Sequence, residues 1–238
     1  MCGMSDSDVI SLPILYQDAS IVAINKPNGL LVHRSPIAAD ASVFAVQILR
    51  DQLGQKVFPV HRLDRKTSGV LLFALHDEMN SVMQQQFQNG EVNKTYHAIV
   101  RGYTPDTLDI DYPLRKDDGT VQEAFTSLRT LQRTEVNFTI GKHPTSRYSL
   151  VELKPTTGRM HQLRKHMAHV FHPIIGDRPH GCNKQNRYFK EQLGMQEMLL
   201  HAERLEFTHP SLGAIDIHAP YQEPFQRMLA ALNFLADC

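Results

Sequence analysis

Residues 61–69 read His-Arg-Leu-Asp-Arg-Lys-Thr-Ser-Gly, a single carboxylate, Asp64, set among Arg62, Arg65 and Lys66. An opposite charge within ~4–6 Å favours the ionised form of a carboxyl group, and an ionised carboxylate serves as a nucleophile or a base. Clusters of this kind are more often solvated ion-pair patches. Here, however, the following residues 68–75, Ser-Gly-Val-Leu-Leu-Phe-Ala-Leu, are too continuously apolar for an edge and read as a central strand buried on both faces. Asp64 therefore stands at the margin of the core, where an unpaired charge is costly. A second group lies at 155–171. Pro-Thr-Thr-Gly-Arg ends a strand and turns into HQLRKHMAHVF. Helical spacing puts Leu163, Met167, Val170 and Phe171 on one apolar stripe, with His161, Lys165, Ala168 and His172 opposite. Arg164 falls on the border between the faces, a position that can point into a cleft, and the helix start favours anions.

The histidines of this helix raise a metal reading, but His166, His169 and His172 step by three and so spread around it. No His-Glu-x-x-His is present and Cys182 is the only cysteine away from the chain ends, so no metal is expected. Partly exposed histidines on a basic face are the alternative. Gly141-Lys142 lacks the upstream glycine of a phosphate-binding loop.

With 238 residues and 42% apolar content the chain is globular, and 25 Lys plus Arg against 25 Asp plus Glu exclude a global polycation. Charge is nevertheless segregated. Between Lys142 and Lys190 ten Lys or Arg face only Glu152 and Asp177, a net +8. Arg159, Lys184, Arg187 and Lys190 are the candidates for contacting an anionic polymer, with a solvated face as the alternative. With no Trp, stacking must come from Tyr, Phe, His or guanidinium planes. Three cysteines, no long apolar run and no basic-then-apolar leader make a cytoplasmic location, off the membrane, the expectation.

The elements that must position these residues alternate. Short strands at 14–16, 21–25 and 30–33 flank a Pro27-Asn28-Gly29 turn; Ser42 caps a helix burying Val43, Val46, Leu49 and Leu53, which Gly54 stops. Asp77 caps a second helix through Val82, Met83 and Phe87, ended by Gly90. From residue 92 the pattern is mostly extended, interrupted by the 161–171 helix and a polar surface loop at 182–197, and closed by an amphipathic helix through Phe225, Met228, Leu229 and Leu232. No repeat or linker is visible, so residues 1–238 read as one α+β domain with a large mixed sheet.

These segments resemble the RluA family of pseudouridine synthases. HRLDRKTSG matches the family signature, ILYQDASIVAINKPNGLLVH its opening strands, VNKTYHAIVRG its tyrosine segment, and PTTGRMHQLRKHMAHVFHPIIGDRPHG its third motif. The resemblance implies the pseudouridine synthase fold, a mainly antiparallel mixed sheet flanked by helices. It also implies isomerisation of a uridine in RNA without metal or cofactor, with Asp64 the essential aspartate, nucleophile or charge stabiliser, Tyr96 lying against the base as a candidate for handling the C5 proton, and Arg164 pairing with Asp64. Leu163 would line the uracil site and Arg62 would fill the gap left by the everted nucleotide. Met160 stands where many relatives carry Thr, and no S4 RNA-binding domain precedes the matched region. His33-Arg34-Ser35, LVELKPTTGR and residues 180–187 narrow the resemblance to tRNA-acting members, implying uridine 65 in the T arm as target. A ribosomal RNA synthase of the same family, or a non-catalytic RNA-binding protein, are the alternatives, and the intact set Asp64, Tyr96 and Arg164 argues against the latter. A monomer with no protein partner is expected.

Overall fold

The 68–75 segment organises the molecule. In the computed structural model, which describes residues 11–33 and 43–234, strand β4 (Ser68–Ala74) is buried along its whole length, as a strand covered on both faces must be. It pairs antiparallel with β2 (Ile21–Lys26), which in turn pairs with β1 (Ile14–Gln17), and it also meets the short β3 (Phe58–Pro59). On its other side β4 pairs in parallel with β11 (Leu200–His209) through His201↔Ser68 and Ala202↔Gly69. From β11 the sheet continues antiparallel through β5 (Asn93–Arg101), β10 (Ser146–Pro155), β9 (Phe125–Val136) and β6 (Thr107–Asp111), with β12 (Gly213–His218) hairpinned to β11. A separate ribbon, β7 (Leu114–Arg115) with β8 (Val121–Gln122), stands beside it. The expected large, mixed, mainly antiparallel sheet is thus present.

Helices cover both faces. Along β2 and β4, odd and even positions feed different cores: α1 (Ala45–Leu53) covers Val22, Ile24, Leu71 and Phe73, and α2 (Asp77–Asn89) covers Ile21, Ala23, Val70 and Leu72. Farther along, α3 (Gln162–His169) packs Leu163 and Met167 on Ala98, Val100, Val151 and Leu153. The opposite face carries α4 (Asn183–Leu193) and α5 (Glu223–Ala231), with Phe189, Phe225 and Met228 against Ile99, Tyr148 and Leu150. Among the described residues no helix is long and apolar enough to cross a membrane.

Several local expectations are corrected. Among the described residues, 30–33 form no strand beyond a single bridge from Leu31 to Phe44. Ser42 lies outside the described residues, and α1 is entered through Phe44, which is buried with Ala45 and Leu49 while Val43 is exposed. The cap of α2 is His76, whose ring accepts from Met79 N–H at 3.3 Å, with Asp77 inside the first turn. Residues 182–197 are mostly the helix α4, not a loop. Its polar composition hid one buried turn-to-turn pair, Phe189 and Gln185, the latter buried because it accepts the Tyr148 hydroxyl at 2.6 Å. Phe171 leaves the α3 stripe: the helix ends before it, and it sits 87% exposed at φ 64°.

Candidate active site

Asp64 opens a turn whose Thr67 N–H returns to the Asp64 carbonyl at 3.0 Å, and this turn feeds directly into β4. Gly69 then brings β4 against β11 so closely, at φ 108°, that a Cβ there would stand 2.1 Å from the Ala202 carbonyl oxygen. Ala202 is registered opposite Tyr96 on β5. The close approach of these three strands therefore delivers the Asp64 turn beside Tyr96.

Arg164 arrives from the other side of a cleft of about 1070 Å³ that both Asp64 and Tyr96 line, a volume at the upper end of small-molecule sites. Its Nη1 donates to Asp64 Oδ2 at 2.9 Å, while Nε and Nη2 grip the two oxygens of Asp177, each at 2.8 Å. The guanidinium is buried, and Asp177 is 1% exposed. Burial alone would lower the Arg164 pKa, but the hydrogen bonds to Asp177 and then Asp64 outweigh it and the group is held above its usual value. The result is a fixed cation. Asp64 Oδ2 is committed to it, whereas Oδ1 takes no hydrogen bond from the described residues and is left for a ligand. The three cations nearest in sequence do other things: Arg65 Nε donates to the Gly29 carbonyl, Lys66 is half-buried, and Arg62 is exposed at the cleft.

The start of α3 is held by Gln162, whose amide donates to the Phe125 carbonyl at 2.9 Å and to Thr126 Oγ1, and whose oxygen accepts from Arg159 N–H. This anchoring sustains a left-handed His161, φ 56°, a conformation uncommon outside glycine. The His161 ring stands 3.8 Å from Asp64 Oδ2 through Nε2 and 3.0 Å from His180 Nε2 through Nδ1. Burial, together with the charge of Arg164, lowers its pKa against the pull of Asp64, which keeps it neutral. Tyr96 is held above the usual phenol range, first by burial and then by the Asp64 charge, so it meets a ligand as a neutral phenol. Fully buried Lys26 donates to the carbonyls of Pro27, Leu30 and Arg65 and so ties the neighbouring turn to the Asp64 loop.

The RNA pseudouridylate synthase family profile matches residues 20–169. Named relatives extend the match: a tRNA pseudouridine synthase C of Pasteurella multocida is 51% identical over 212 residues, 84% of this chain and 87% of that one. That of Vibrio cholerae is 47% identical over 235 residues, 94% and 96% of the two chains. The chain belongs to the RNA pseudouridylate synthase family. Among solved structures, human RNA Pseudouridylate Synthase Domain Containing 4 superposes with TM-score 0.71 at 26% identity over 93% of each chain. Human RNA Pseudouridylate Synthase Domain Containing 1 shares the fold at TM-score 0.74 and 22% identity, over 99% of this chain and 100% of that one.

Within this synthase the cleft unites Asp64, Tyr96, Arg164, Leu163, Arg62 and Arg159. Leu163 both lines it and packs in the core. Lys184, Arg187 and Lys190 sit exposed on α4 and do not line it. The helix histidines do not share one exposed face: His166 is fully buried between Thr126 and the Tyr112 carbonyl, and His169 stacks on Tyr112. Sequence reasoning missed Asp177. Its signal was available, as one of only two acids in a stretch of ten cations. Asn186 on α4 holds the Asp177 loop, donating to the Asp177 carbonyl at 2.6 Å and accepting from Gly176 N–H at 2.9 Å. The 180–187 stretch thus reaches the active site through the carboxylate that fixes Arg164.

Proposed function

We propose that this synthase isomerises a uridine in tRNA, uridine 65 of the T arm, to pseudouridine. The observation that carries this reading is the Asp64 carboxylate, oriented by Arg164 through one oxygen and open to the cleft through the other. In the reaction the N1–C1′ glycosidic bond breaks, the base turns while held, and C5 bonds to C1′; C5 gives up its proton and N1 gains one. Asp64 Oδ1 supplies the nucleophilic oxygen, and the Arg164 guanidinium, bonded to Oδ2, holds the carboxylate aimed. Tyr96, with Leu163, forms the wall against which the uracil lies. As a neutral phenol Tyr96 packs and donates a hydrogen bond, and is poorly suited to accept the C5 proton. Arg62 fills the space vacated by the uridine, offsetting an unstacking cost of a few kcal/mol. Arg159 contacts the RNA at the cleft, while Lys184, Arg187 and Lys190 offer a secondary charged face. The enzyme works in the cytoplasm, on its own, without metal or cofactor.

The tRNA reading is favoured over ribosomal RNA by the names of the relatives that match over most of both chains. Mapping pseudouridine in tRNA and ribosomal RNA from cells lacking the protein tests it. Loss at position 65 of tRNA, restored by the wild-type chain, is the expected result; loss confined to ribosomal RNA would remove the tRNA assignment.

A further inference from the structure

The cleft contains a cation with no work assigned to it. Lys94 lies two residues before Tyr96 on β5, so both side chains leave the strand on one side, about 7 Å apart, and both line the cleft. It is half-buried, yet among the described residues its ammonium has neither a carboxylate nor a hydrogen-bond partner. Asp64, Asp117 and Asp118 line the same cleft, but among the described residues none of them forms an ion pair or hydrogen bond with Lys94, and Asp64 gives one oxygen to Arg164. His61 is a neutral ring that accepts Leu72 N–H at 3.0 Å and stacks on Phe87. Burial, followed by the charge of Lys94 itself, pushes the His61 pKa down to about 3.

An ammonium kept half out of water without a counter-charge is unfavourable in the free protein and rewards an arriving anion. The other cleft cations are less suited to that task. Arg164 spends its guanidinium on Asp64 and Asp177, Arg159 Nε donates to the Glu123 carbonyl at 3.0 Å, and Arg62 and Lys116 are exposed. We propose that Lys94 holds a backbone phosphate of the RNA beside the uridine that enters between Asp64 and Tyr96. The assignment rests on the RNA reading above and adds to it a specific contact: one phosphate, gripped from the floor of the cleft, which sets how deep the everted nucleotide travels. Held by the strand, such a contact acts on binding of the substrate more than on the chemical step.

The test is the salt dependence of tRNA binding and turnover with the full chain and a T-arm-containing tRNA transcript, followed by fluorescence anisotropy and by pseudouridine formation. In Lys94→Gln and in Lys94→Met, which keeps the aliphatic stem, KM rises about tenfold with kcat changed less, and the slope of log affinity against log salt becomes shallower by about 0.7–0.9, the signature of one lost phosphate. Lys94→Arg restores the slope, and Lys56→Gln, an exposed lysine outside the cleft, leaves it unchanged. An unaltered slope in both neutral variants, while the wild type converts uridine, overturns the Lys94 assignment. A wild type that binds tRNA with the steep slope but makes no pseudouridine would instead count against the activity and leave the phosphate contact standing.

Discussion

Asp177 touches no substrate in this account, yet its replacement should disable the reaction. Three of the Arg164 nitrogens are in use, and two of them, at 2.8 Å each, are held by Asp177 inside the protein. In Asp177→Asn the neutral amide offers one acceptor oxygen where two charged ones stood. The buried guanidinium then keeps a single strong partner, Asp64, and can swing toward it. Removing one member of a buried ion pair costs about 3–5 kcal/mol; the amide retains one bond and Asp64 supplies residual charge, so about 2–3 kcal/mol is expected for this variant. The catalytic effect follows from geometry: a reacting group displaced by about 1 Å loses on the order of 10²-fold in rate. Single-turnover pseudouridine formation at saturating tRNA should therefore fall about 10²-fold, with tRNA affinity within about threefold of wild type, because no RNA-contacting charge has been removed. Asp177→Glu, which restores charge, should recover part of the rate. Asp177→Asn that is folded by circular dichroism and converts uridine within about twofold of wild type would refute the positioning argument.

Gly69→Ala places a Cβ 2.1 Å from the Ala202 oxygen at a φ of 108°, so urea unfolding should show a loss of roughly 3 kcal/mol or more; a loss below about 1 kcal/mol would mean that the β4–β11 approach is not rigid. Arg62→Ala removes an exposed side chain, so stability should stay within about 0.5 kcal/mol while KM for structured tRNA rises; unchanged kinetics would count against its gap-filling role. His201 is buried with Nε2 on the Ala219 carbonyl and Nδ1 on Ser68 Oγ, and burial pushes its pKa down to about 4. Since the unfolded ring titrates near 6.5, the unfolded state binds more protons between those values, and up to about 3 kcal/mol of stability present above pH 6.5 is lost on descending toward pH 4. Denaturation at stepped pH should show this decline, and a flat profile over that range would contradict it.

The parts of the fold legible in the sequence were those in which one local signal dictates one outcome. The unbroken apolar run of β4 demanded cover on both faces, and Gly54 and Gly90 ended their helices in the left-handed conformation. The C-terminal stripe gave α5, with Phe225, Met228 and Leu232 buried. What escaped depended on contacts distant in sequence. Nothing near Lys26 announces that it is wholly buried, because one of the three carbonyls that receive its ammonium belongs to Arg65, 39 residues away. The α4 segment looked like a loop because its one buried polar residue, Gln185, is satisfied by Tyr148, 37 residues away. At the active site the border position of Arg164 did foretell a side chain facing a cleft, but the run of cations beside Asp64 suggested partners from the wrong part of the chain. The cation that matters lies 100 residues downstream, and the acid that secures it reads in the sequence only as a charge.

The most direct test of the central claim replaces the open oxygen of Asp64 while leaving its shape. Asp64→Asn, compared with wild type on the same tRNA under single-turnover conditions, should still bind the RNA and unfold within about 1 kcal/mol of wild type. Its pseudouridine formation should fall by on the order of 10⁴-fold or more, since an uncharged amide oxygen is a poor nucleophile in place of the carboxylate. A folded Asp64→Asn protein that makes pseudouridine at more than about a tenth of the wild-type rate would contradict the account.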